Sequence, residues 1–180
     1  TDTQDQKHRT SIISIQMEIE LQAQANNFSV LYCDRYFDTV GNNKVNKNLK
    51  SKTAILFEDS KSINSDMAFV LQTAKQNELN LLELENGKDT KKAVNKCIQH
   101  GKALLRGSAN AKYNFEKGYR TLWVFESEST MLSLVKELSG NPFFTHLKEY
   151  FLFKSLASLD GNFLGGWLNA DGLERQIFYV

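Results

Sequence analysis

The chain has 180 residues, 41% of them hydrophobic, and a formal net charge of +1. That is enough apolar material for one buried core, and too little charge imbalance to single out a highly charged partner. No apolar run approaches the roughly 18 residues of a membrane span, and two cysteines, Cys33 and Cys97, build no disulfide framework and have no partners at metal-site spacing.

In chain order, residues 1–9 are polar and expected to fray. SIISIQMEIELQAQA, residues 11–25, alternates like a strand at Ile13, Ile15, Met17, Ile19 and Leu21. Its Gln, Glu, Met, Leu and Ala content and the spacing of Ile12, Ile15, Ile19 and Ala23 favour a helix, which is the reading taken. NFSVLYCDRYF, 27–37, reads as a strand, 40–52 as an Asn/Lys-rich loop, and TAILFE, 53–58, as a short strand or packed loop. A hairpin follows, with strands at 66–74 and 79–85 and KQNE as its turn; Asn86-Gly87 closes it. From Asp89 to about Leu105 the period is helical, with Asp89 or Thr90 as cap. A strand at 119–127, a helix at 130–138, a strand at 149–156 and a terminal hairpin turning at Asn169 to Gly172 complete the pattern. Trp123 and Phe125 are expected in the core, and Trp167, beside a glycine pair, at the surface. The sum is an α/β fold with a mixed central sheet flanked by helices.

Charge is unevenly placed. Between Lys88 and Arg120 stand nine Lys/Arg against two acids, Asp89 and Glu116, a local balance of +7. NNKVNKNLKSK, 42–52, is a second basic stretch. Such patches suit phosphates, and equally suit solvated faces.

The acids carry the sharper signal. Strand side chains two apart share a face, so Glu83 and Glu85 project together while Leu82 and Leu84 go to the other side. If Asp66 pairs across from them, three carboxylates converge, and their mutual repulsion calls for a positive charge between them. A hard divalent cation, Mg²⁺ or Mn²⁺, is one candidate, and the lysines of the next helix are the other. The alternative is a solvated sheet face with Glu83 and Glu85 paired to surface lysines.

Asp66, a hairpin and then Glu83-Leu84-Glu85 resembles the PD-(D/E)XK nuclease signature, in which an acid opens one strand and a second acid and a lysine follow on the next. Ser65 stands in place of the proline and Glu85 in place of the lysine. The wider run resembles the replication-relaxation group, which includes MobC-type plasmid relaxases of the MOBC class. It takes in Lys7-His8-Arg9, the first helix, LELENGKDT, Lys96-x-x-x-His100 and YRTLWVFESES, and covers about residues 7 to 160. His100 stands where that group has tyrosine.

The resemblance implies a restriction-endonuclease-like fold and a Mg²⁺- or Mn²⁺-dependent endonuclease that nicks one DNA strand at a plasmid transfer origin. Asp66, Glu83 and Glu85 would be metal-binding and catalytic, with Glu20 from the first helix as a further metal ligand and Lys96 as the displaced catalytic lysine. Lys88, Lys91, Lys92, His100, Lys44 and Lys47 would contact DNA. An accessory mobilisation protein and a coupling protein are implied as partners, and a cytoplasmic location follows. Residues 1–180 are expected to form one nuclease-like domain. The start, without Met or an apolar leader, reads as an excised domain whose preceding winged-helix domain is absent. The alternatives are an inactive nuclease-fold module for DNA binding or replication, and a restriction or defence nuclease on duplex DNA.

Overall fold

A computed structural model describes residues 2–41, 49–116 and 118–178. The first helix, α1 (Asp2–Ala25), buries Ile12, Ile15, Ile19 and Ala23, the set at helical spacing, and leaves Ile13, Met17 and Leu21 exposed. Each buried large side chain contributes about 1.5–3 kcal/mol relative to exposure. The alternation that mimics a strand is thus an inner stripe and an outer stripe of one helix. Residues 2–9 do not fray: Tyr36 Oη donates to Asp5 Oδ1 at 2.9 Å, Lys7 lies 3.4 Å from Glu126, and His8 reaches Asp66.

The chain then forms β1 (Ser29–Arg35), a short pair β2 (Thr39–Val40) and β3 (Lys50–Ser51), and a hairpin, β4 (Ala54–Glu58) with β5 (Lys61–Asn64). β5 carries a single apolar residue, Ile63, in a polar run, so its sequence has no strand signal. Next come β6 (Met67–Gln72) and β7 (Asn77–Glu85), which turn through Thr73–Gln76, slightly earlier than KQNE suggests. α2 (Thr90–Leu105), α3 (Ser108–Tyr113), β8 (Arg120–Phe125), α4 (Glu128–Ser139), β9 (Phe151–Ser155), β10 (Trp167–Asn169) and β11 (Glu174–Arg175) follow.

The main sheet has seven strands in the order β1-β6-β7-β8-β9-β10-β11. β6 runs antiparallel to both its neighbours, β1 and β7; β7–β8 and β8–β9 are parallel, which requires the crossovers supplied by α2 and α4. This is the expected mixed sheet. α1 covers one face, packing on Met67, Phe69, Leu82, Leu84, Leu122 and Val124. α2 and α4 cover the other, over Trp123, Phe125, Phe151 and Phe153, and the β4–β5 hairpin with α3 extends that layer over Ala68, Val70, Leu79 and Leu81. Trp167 is fully buried, its indole donating to Phe163 O at 2.6 Å, so the glycine pair opens no surface there.

Asp89 caps α2 by accepting from Lys92 N at 3.1 Å. Gly101 lets the helix close on the following segment: a Cβ there would lie 2.5 Å from Phe143 Cε1. No helix is long and apolar enough to cross a membrane among the described residues.

Candidate active site

β6 and β7 pair with Met67 opposite Leu82, so the register continues to Asp66 beside Glu83. One oxygen of Asp66, Oδ2, accepts from Leu84 N at 2.7 Å, which locks the carboxylate to the neighbouring strand. Alternation sends Leu82 and Leu84 to the α1 face and Glu83 and Glu85 to the α2 face.

α2 returns over the end of β7 and delivers a lysine to both glutamates. Lys96 Nζ lies 2.7 Å from Glu83 Oε2 and 2.7 Å from Glu85 Oε1. His100, one turn further along the same helix face, places Nε2 2.8 Å from Glu83 Oε1. That approach is a close polar contact without hydrogen-bond alignment, and His100 Nδ1 has no hydrogen-bond partner among the described residues. Trp123, paired with Glu83 across β7–β8, floors the cluster: its ring meets His100 edge-on at 5.1 Å and lies 5.6 Å from Lys96 Nζ.

Glu83 and His100 are both fully buried. Burial alone would raise the Glu83 pKa, but the Lys96 charge and His100 outweigh it and hold the carboxyl below its usual range. Burial alone would lower Lys96; Glu83, Glu85 and, more distantly, Asp66 outweigh it and hold the ammonium well above the ordinary lysine value. The buried carboxylate and ammonium therefore stay ionised and depend on each other.

The other oxygen of Asp66 faces α1. His8 Nε2 is 3.0 Å from Asp66 Oδ1, and Asn86 Nδ2 is 3.2 Å from His8 Nδ1. If the amide nitrogen donates to Nδ1, Nε2 carries the proton and donates to Asp66. The hydrogen bond to Asp66 raises the His8 pKa. Pattern reasoning gives His8 no role because the sequence places it in a polar segment 58 residues from its partner. The legible signal is its helical phase: His8, Ile12, Ile15 and Ile19 share one face of α1.

Glu83, Glu85 and Lys96 therefore meet, while the Asp66 carboxylate, at the adjoining strand end, is held by the Leu84 amide and His8. Glu20 does not join them. It lies 12 residues from His8 along one helix, about 18 Å, is exposed, and accepts from Gln16 Nε2 at 2.8 Å. His100 is fully buried and turned inward on Glu83, away from the surface where a phosphate contact is expected. Lys88, Lys91 and Lys92 are exposed at the start of α2. Lys44 and Lys47 lie outside the described residues.

No family model, curated protein or solved structure matches this chain.

Among the described residues no three His, Cys, Asp or Glu side chains form a ready metal-binding group. The arrangement is two carboxylates around one ammonium, with a third carboxylate at the adjoining strand end. Of the two candidates for the positive charge between the acids, a cation or a lysine of the next helix, the Lys96 ammonium stands between Glu83 and Glu85.

Proposed function

We propose that this protein is a divalent-metal-dependent DNA endonuclease of the PD-(D/E)XK kind, working as a relaxase that nicks one strand at a plasmid transfer origin. One observation carries the reading: a helix lysine, Lys96, reaches both acids of Glu83-Leu84-Glu85 at 2.7 Å, beside the acid that opens the neighbouring strand. An acid pair on one strand, an acid on its hairpin partner and a lysine supplied by the next helix resembles a displaced form of that signature, which supports the reading.

Asp66, Glu83 and Glu85 would hold Mg²⁺ or Mn²⁺, which when bound polarises the phosphate and offsets charge on the leaving oxygen. Lys96, one-third exposed on a flexible stem, would turn from the glutamates toward the phosphate and stabilise its developing negative charge. His8 and the Leu84 amide hold the two oxygens of Asp66 in place. His100 lies against Glu83 on the buried side. Lys88, Lys91 and Lys92 would contribute salt-sensitive phosphate contacts along the rim.

A second reading has its own support. Glu83 is fully buried and engaged by both Lys96 and His100, as in a nuclease fold that keeps an internal ion pair and serves only to bind DNA. A supercoiled plasmid carrying a transfer origin separates the readings. The relaxase reading expects open circles in Mn²⁺ or Mg²⁺, none in EDTA, and none from Asp66→Ala protein. Metal-independent binding without nicking supports the inert module. Double-strand breaks in origin-free plasmid support a restriction or defence enzyme.

A further inference from the structure

A second cleft of about 420 Å³ opens where β1, β6 and α3 meet. Its floor is Val70, and Tyr32, Tyr113 and Phe115 form its sides. The Tyr32 and Tyr113 rings meet edge-on at 5.8 Å. Two local features build the slot. Asn114 adopts φ 55° at the end of α3, which turns the chain so that Tyr113 and Phe115 flank it, and Phe115 N then donates to Asn110 O at 2.9 Å. The Tyr32 hydroxyl is tied to Asp34 Oδ2, which fixes its ring although the residue is 42% exposed.

The polar groups at this slot are specific. The Tyr113 hydroxyl is buried and has no hydrogen-bond partner among the described residues, so its lost hydration is uncompensated. Asn77 and Asn114 also line the cleft. Lys112, held by the carbonyls of Lys52 and Ala54, sets a cation 5.1 Å from the Tyr113 ring.

We propose that this cleft binds an unstacked base of single-stranded nucleic acid. The aromatic sides offer a stacking surface, the amides and the Tyr113 hydroxyl can pair with a base edge, and Lys112 faces the adjoining phosphate. Tyr32 pairs with Val70, so the cleft is built on the β1–β6 edge of the sheet. The inference shares the nucleic-acid partner of the preceding reading but needs none of its chemistry.

The test is fluorescence anisotropy in EDTA with the full chain carrying Asp66→Ala, so that cleavage plays no part. A short single-stranded oligonucleotide is compared with the same backbone made abasic. Stacking on an aromatic side chain is worth about 1–3 kcal/mol per base, so Tyr32→Ala should weaken binding of the intact strand by about 5- to 160-fold. The abasic strand should bind more weakly at the outset and be insensitive to Tyr32→Ala. Tyr113→Phe, which keeps the ring, should weaken the intact strand alone by a smaller factor. Unchanged thermal melting of each variant guards against misfolding. Equal affinity for intact and abasic strands, or equal loss on both with Tyr32→Ala, overturns the proposal. Failure of plasmid nicking leaves this result untouched.

Discussion

Glu83 and Lys96 form an ion pair at 2.7 Å in which the carboxylate is wholly buried and the ammonium is partly exposed. Such a pair resists disruption from one side far more than from both, because removing one member strands the other charge in an apolar setting. Lys96→Met should therefore cost about 3–5 kcal/mol of folding stability, read by urea denaturation. The double variant Lys96→Met with Glu83→Leu should recover most of it. A loss that the second substitution does not repair would show that Lys96 contributes through its stem and not its charge.

The same pair sets a pH dependence. The Glu83 carboxyl is held below its ordinary value of 4.5, so its contribution is fully present above that pH and disappears as pH falls through the depressed folded value. Wild type should lose stability below about pH 4.5 more steeply than Glu83→Gln. Lys96 is shifted upward from 10.5, so its contribution holds below that pH and is lost only in strong alkali. Denaturation midpoints across the acid range check the first slope.

His8→Ala should release the first two turns of α1. The lost hydrogen bond to Asp66 is worth about 1 kcal/mol, and amide hydrogen exchange should rise over the start of the helix while Ile15 and Ile19 stay protected. If the relaxase reading holds, nicking should fall in the same variant, because one oxygen of Asp66 loses its support.

Gly101→Ala tests how closely α2 must approach Phe143. A Cβ 2.5 Å from a ring carbon cannot be accommodated without movement, and overpacking of this kind costs about 1–3 kcal/mol. The helix that shifts is the one carrying Lys96 and His100. Thermal melting should show the loss, and Phe143→Leu in the same chain should relieve it.

A bound divalent ion stabilises the state that binds it by mass action. Mn²⁺ should raise the melting temperature of wild type in proportion to the logarithm of its concentration, and Glu85→Gln or Asp66→Asn should flatten that response. An equal response in all three proteins would place the ion elsewhere.

The sequence was legible where one physical signal dominated. The LNLLELE alternation fixes which face Glu83 and Glu85 take, and the helical period after Asp89 brings Lys96 to them. The spacing of Ile12, Ile15, Ile19 and Ala23 outweighed a strand-like alternation because α1 has an inner and an outer stripe. What the sequence hid was decided by contacts between distant segments. β5 owes its existence to pairing with β4 and has little apolar content of its own. His8 acquires a partner only when β6 is laid beside α1. His100 looked like a group for phosphate because its burial depends on how tightly α2 lies on Trp123. Glu20 sits on a plausible helix, but too far along it.

The inner stripe of α1 has a consequence for how the chain comes off the ribosome. Its far end is fastened by Phe163 N donating to Gln22 and Gly161 N to Glu18, contacts spanning 141 and 143 residues. Glu18 and Gln22 thus meet these partners only after 143 and 141 further residues have been made, and a greasy helix must wait in the nascent state while the strands beneath it assemble. Long closures of this kind slow folding and prolong exposure to other chains.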